Sequence, residues 1–193
     1  MAKKVVLRFN PKLSSRHGKH VRDGLSAALL TENDLWLCCD ERTTIERLSL
    51  QKDGSFADHT SFELANYLDL PAGSKSEIDI EGIGTANGYL WIIGSHSLKR
   101  KKPKRYQSIK KQMQRLAEVT NDPNRYVLAR IPIIKNEATG CYELHKEADD
   151  PVQPGRKLRA AQLRGNANSS MLKDALQDDE HIGPFLSIPG KDN

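Results

Sequence analysis

Asp79 and Glu81 are the two residues whose type and spacing most directly suggest chemistry. Two positions apart in a strand, they project to one face, roughly 6.6–6.8 Å apart along the chain. Both carboxylates can then approach one water or one hard cation. Calcium or magnesium requires several oxygens, so the pair supplies at most part of a shell, with Asp40, Glu41 or a later repeat unit providing the rest. A solvated strand face is the plainer reading of the same pair.

His96, within Ser95-His96-Ser97, follows the strand that a hairpin pairs with Asp79 and Glu81. That hairpin makes it a candidate general base or phosphate ligand beside them. The neighbouring serines are weak evidence for a nucleophile, because a serine needs its base placed in space rather than next in sequence. His17 and His20 have H-x-x-H spacing, but no carboxylate or cysteine follows at a zinc-like interval.

Lys99, Arg100, Lys101, Lys102, Lys104 and Arg105 form a run that cannot pack into a core. It is a solvated loop or a site for phosphate-rich ligands or RNA, with Tyr106 the adjacent aromatic for stacking. Lys110, Lys111 and Arg115 extend it to nine cations with no acid between Lys99 and Arg115; a net +5 less these nine leaves −4 for the rest of the chain. A mildly acidic body with one basic segment differs from a uniformly basic nucleic-acid binder.

The elements that must position these groups read as mainly β. Leu25–Leu30, Asp34–Cys39, Thr44–Leu50 and Phe56–Leu64 are four strand-sized segments, with Lys52-Asp53-Gly54 turning the last pair. Ile78–Ile83 and Tyr89–Gly94 follow, joined by Asn87-Gly88, a strong two-residue hairpin signal. Arg125–Ile134 and Cys141–His145 complete a second set. DLWLCCDE at 34–41 aligns with YLWIIGSH at 89–96 at an offset of 55 residues, so two units, about 24–64 and 78–147, repeat one layout. Small four-stranded units that cover one another by stacking are the blades of a propeller.

The fold class expected is therefore mainly β with helical insertions, built of partial propeller-like blades of antiparallel strands. The 193 residues read as one domain, incomplete at its C-terminus, because two units do not close a ring. Missing blades or self-association are expected to complete the core. Ile109, Met113, Leu116 and Val119 place a helix over 108–120, residues 156–177 read as two short helices, and Lys3–Phe9 and Phe185–Ile188 read as strands. The cysteines, Cys38, Cys39 and Cys141, form no C-x-x-C pair and read as reduced apolar residues. No apolar stretch spans a membrane and no signal peptide is evident, so a cytoplasmic chain with no membrane partner is expected. There is no Walker loop, and Gly82-x-Gly84 runs into a hairpin rather than a helix, which excludes a dinucleotide fingerprint.

Asp79-Ile80-Glu81-Gly82, Gly88–Ser97 and Lys99–Lys102, with Asp122–Tyr126 and Arg130-Ile131-Pro132 later, resemble an uncharacterised bacterial family known only as a domain of unknown function. The resemblance spans most of residues 20–193. It implies a propeller-like fold longer than this chain and no established activity. D-x-E-G strands also occur in propellers similar to metal-dependent hydrolases, a distant analogy. The function expected is a ligand-binding or scaffold module. Its alternatives are a metal-assisted hydrolase of phosphorylated or ester substrates, with a divalent cation such as calcium or magnesium, and RNA or polyphosphate binding through 99–115.

Overall fold

The computed structural model describes residues 4–16, 19–74, 76–166 and 169–186. Four strands, β1 (Leu25–Thr31), β2 (Asp34–Cys39), β3 (Thr44–Leu50) and β4 (Phe56–Glu63), form an antiparallel meander in chain order. A second meander contains β5 (Ile80–Ala86), β6 (Tyr89–Gly94), β7 (Leu128–Lys135) and β8 (Tyr142–Leu144), with the two-residue strand Ala161–Gln162 also on β7. Both sheets are blade-like, and β1 lies beside β5. The Asn87-Gly88 turn has positive φ at both residues (53° and 81°), which only a two-residue primed turn demands and which Asn-Gly supplies at little cost.

The two sheets pack face to face. Alternation puts Trp36, Cys38 and Ile45 from the first sheet against Leu90, Ile92, Ala129, Ile131 and Ile133 from the second. Fully burying each Leu or Ile contributes about 1.5–3 kcal/mol, so this interface is the main stabilising layer. At its outer edge the seam turns polar: Asp34 accepts the Tyr142 N–H at 2.6 Å, and Arg47 donates to the Tyr142 carbonyl. The other face of the first sheet is covered by the N-terminal segment, where Leu7 and Phe9 pack on Leu37, Leu48 and Phe56. Under that segment the fully buried Glu46 and His59 pair at 2.7 Å, and His59 Nδ1 accepts the Asn10 N–H at 3.2 Å. The imidazole is thereby fixed with its proton on Nε2 toward Glu46.

Several expected elements differ. Lys3–Phe9 is not a strand: among its described residues only Leu7 bridges Phe56, and Pro11 turns the chain into a short helix, Pro11–Ser14. Residues 156–177 are not two helices. Lys157–Arg159 pairs with Glu147–Asp149 and shows strand alternation, Leu158 in and its neighbours out, so tertiary pairing overrides the helix-forming composition. One helix remains there, Met171–Leu176, started by the Ser170 side chain accepting the Lys173 N–H. Gly183–Phe185 is a 3₁₀ turn with Pro184 in its first turn rather than the start of a strand, and Ser187 and Ile188 lie outside the described residues. The Arg125–Ile134 strand begins only at Leu128, because Pro123–Tyr126 makes a 3₁₀ turn.

Between β6 and β7 the chain leaves the sheet. Lys99–Arg100 pairs with Val119–Thr120 to close a stem, and the helix α1 (Ile109–Ala117) stands beyond it with no buried residue. No helix of the described residues is long and apolar enough to cross a membrane.

Candidate functional site

At the end of the sheets where β2 finishes and β5 begins, the Asp79 N–H donates to the Asp40 carbonyl at 3.2 Å. This bond ties the two sheets together and brings Asp40 and Glu41 beside Asp79 and Glu81, as the sequence suggested. The expected strand Ile78–Ile83 begins only at Ile80: Asp79 sits just before it with φ of 57°, and Glu81 lies at a bulge between Ile80 and Gly82, so strand alternation does not relate the two acids, yet both line one cavity of about 830 Å³. Ser95 and Ser97, leaving β6, line the same cavity, as do Arg125, Lys19, Glu77, Lys99 and Lys102. Among the described residues Leu25 is the sole large apolar one in the lining, so the cavity wall is polar and charged.

Arg125 is the residue the sequence reading missed. Gly94 admits its backbone: a Cβ at that position would lie 2.5 Å from the Arg125 carbonyl oxygen and 3.0 Å from that of Ile78. The His96 N–H then donates to the same Arg125 carbonyl at 3.0 Å. So placed, the buried guanidinium of Arg125 donates to the Asp79 carboxylate, while its Nε is buried without a partner. Its only signal in the sequence is its place after Asp122-Pro123-Asn124, where Asp122 accepts the Asn124 N–H and holds the turn.

The charges in the cavity sort into pairs. Lys19 meets Glu41 at 2.5 Å, Lys99 meets Glu77 at 2.6 Å, and Arg125 meets Asp79. Among the described residues Asp40 and Glu81 have no ion-pair partner, and Lys102 is the cation left over. Burial, with Glu41 and Asp79 nearby, raises the Asp40 carboxyl above its usual range against the pull of the Glu41 N–H. Burial and the charges of Asp79 and Asp40 do the same to Glu81, with Arg125 opposing them.

His96 is not brought to this cavity. Between two serines that line it, the His96 ring turns the other way, with Nε2 3.3 Å from the Val127 carbonyl and Nδ1 3.2 Å from the Ser170 hydroxyl. The backbone is the reason: beyond the end of β6, His96 takes a φ of 49°, and its ring is held by Val127 and Ser170 on the side away from the cavity. Burial lowers the imidazole pKa, the nearby Lys173 adds to this, and the Val127 carbonyl opposes it. His20 stacks edge-on to Phe9 and its Nδ1 accepts the Arg22 N–H, while His17 and Gly18 lie outside the described residues. Among the described residues no group of three or more His, Cys, Asp or Glu side chains could hold a metal ion.

The basic run is divided. Lys99 is held by Glu77 and Lys101 by Glu118, and Arg100 donates to the Leu116 carbonyl. Lys102, Lys104 and Arg105 have no acidic partner among the described residues, and Lys104 lies 5.8 Å over the Tyr106 ring.

Fold and cavity together define a mainly β protein in which a four-stranded and a five-stranded sheet stack, with a charged cavity at one end. Compared with known families, the chain belongs to the one described as Protein of unknown function (DUF3616), whose model matches residues 24–193. Comparison with curated proteins and with solved structures gives no match.

Proposed function

We propose that this chain is a ligand-binding module of propeller-like build, and that its ligand is a small, polar solute carrying a cationic or donor-rich group. The observation that carries this reading is the charge sorting in the cavity: three ion pairs cancel, and among the described residues Asp40 and Glu81 are left without an ion-pair partner against one remaining cation, Lys102. A ligand that donates to both replaces their lost hydration and relieves the repulsion that raises their pKa values. The test is a thermal-shift screen of polyols, amines and divalent cations. Stabilisation by one of these classes that disappears in Asp40→Asn and Glu81→Gln supports the reading. No stabilisation by any class, or stabilisation that survives both substitutions, overturns it.

A metal-assisted hydrolase, with Asp79 and Glu81 as ligands of a divalent cation, is the second reading. That reading has less behind it. Asp79 is already engaged by Arg125, and His96 lies outside the cavity, so it lacks its base. For partners, the face of the second sheet turned away from the first carries Trp91 at 37% exposure, which supports a further sheet or a second copy packing there. Three free cysteines suit a cytoplasmic, reducing location.

A further inference from the structure

The excursion between β6 and β7 is unexplained by the cavity. Its helix α1 carries Ile109, Met113 and Leu116 at i, i+4 and i+7, one apolar stripe, yet Ile109 is 79% exposed and Met113 62%. Tyr106, just before it, is 81% exposed. Exposed large apolar side chains grouped on one short element mark a contact surface.

Around this stripe the cations are available. Lys104, Arg105, Lys110 and Lys111 have no acidic partner among the described residues, whereas the chain outside Lys99–Arg115 is net negative. Arg115 and Arg100 reach back to the Lys102 and Leu116 carbonyls and fix the helix on its stem. The result is an amphipathic helix tied to its stem, with Lys110 flanking the apolar stripe, Lys104 beside Tyr106 on the arm before it, and Lys111 on the opposite face.

We propose that α1 and the arm leading to it dock on an anionic lipid surface, with Ile109, Met113 and Tyr106 entering the headgroup boundary and the lysines meeting the lipid phosphates. A helix lying in the interface needs amphipathicity rather than the length of a span, so the lack of a spanning helix is no obstacle. Charge complementarity selects an anionic surface. The exposed apolar stripe selects lipid over RNA, because phosphate contacts require cations alone and give isoleucine and methionine no role.

The full chain is mixed with vesicles of phosphatidylcholine alone or of phosphatidylcholine with phosphatidylglycerol, and sedimented. Binding to the mixed vesicles only is expected, weakening with added salt and by about fivefold for each of Lys104→Gln and Lys110→Gln. Ile109→Ser with Met113→Ser abolishes it without lowering the melting temperature, since neither side chain is buried. An Ile109→Trp variant reads insertion as a blue-shifted emission on mixed vesicles. Failure to bind mixed vesicles overturns the proposal. So does binding to single-stranded RNA that survives the Ile109→Ser, Met113→Ser change while vesicle binding is weak, which assigns the surface to nucleic acid.

Discussion

Trp36 and Trp91 occupy the same position in the second strands of the two sheets, 55 residues apart, and they meet opposite environments. Trp36 is completely buried between the sheets, tilted against Phe62 at 5.5 Å. Trp91 points away from that interface and is one-third exposed, with Arg130 5.9 Å over its ring. The first sheet presents this face to the second, and the second presents it outward.

Truncating the two indoles should therefore separate sharply. Trp36→Ala opens a void in the main interface and is expected to cost about 3–5 kcal/mol. Trp91→Ala should cost about 1 kcal/mol, from its stacking with Arg130. Urea denaturation of both variants measures this, and equal losses would contradict the packing described.

Arg125→Ala leaves the Asp79 carboxylate buried beside a tightly turned backbone. Removing one partner of such a pair is expected to cost about 3–5 kcal/mol. Adding Asp79→Asn to Arg125→Ala should recover part of that loss, because the uncompensated charge is then gone. A double-mutant cycle in urea gives the coupling, and purely additive losses would show that the two groups do not act together.

How much of this could be read beforehand depended on the range of the interaction. The eight strands of the two meanders follow from alternation and turn residues, both local, and Asn87-Gly88 did what its dipeptide dictates. Lys157–Arg159 was misread because its strand character comes from pairing with Glu147–Asp149, which composition does not reveal. The same division holds at the site. Asp79 and Glu81 line one cavity although only Glu81 is in a strand, and Asp40 could be named beforehand only as a further carboxylate, since its bond to Asp79 is long-range. Arg125 was not, since it arrives through a close backbone approach to Gly94. His96 was placed on the wrong side because the hairpin fixed its height but not the positive-φ backbone beyond the strand end, nor the long-range contacts with Val127 and Ser170 that hold its ring.

Stability should vary with pH in two opposing ways. Asp40 and Glu81 have raised pKa values in the folded state, so the folded chain binds more protons in the window above the ordinary carboxylate range, and stability falls as pH rises through it. His96 has a lowered value, so the unfolded chain binds more protons just below the ordinary imidazole range, and stability rises with pH there. Melting temperatures across pH 4–7 compared with Asp40→Asn, Glu81→Gln and His96→Gln isolate each slope. A His96→Gln profile parallel to that of the parent chain would contradict the second.

Thiol reactivity should divide the cysteines. Burial pushes the Cys38 thiol up to about 12 and Cys39 up to about 11, so neither offers thiolate at neutral pH. In the native chain a thiol reagent is expected to reach Cys141 alone, and all three after denaturation. Rapid native labelling of Cys38 would mean that the sheets separate readily.

The stem at Lys99–Arg100 and Val119–Thr120 also bears on the order of assembly. Strands β1 to β4 are joined by tight turns, and each pairing closes a small loop of chain. The pairing of β6 with β7 must instead close everything from Ser95 to Val127, a larger entropic toll that the stem reduces by tying the excursion at its neck. The first sheet is thus the natural template, and the second condenses on Trp36 once its longest loop has been gathered.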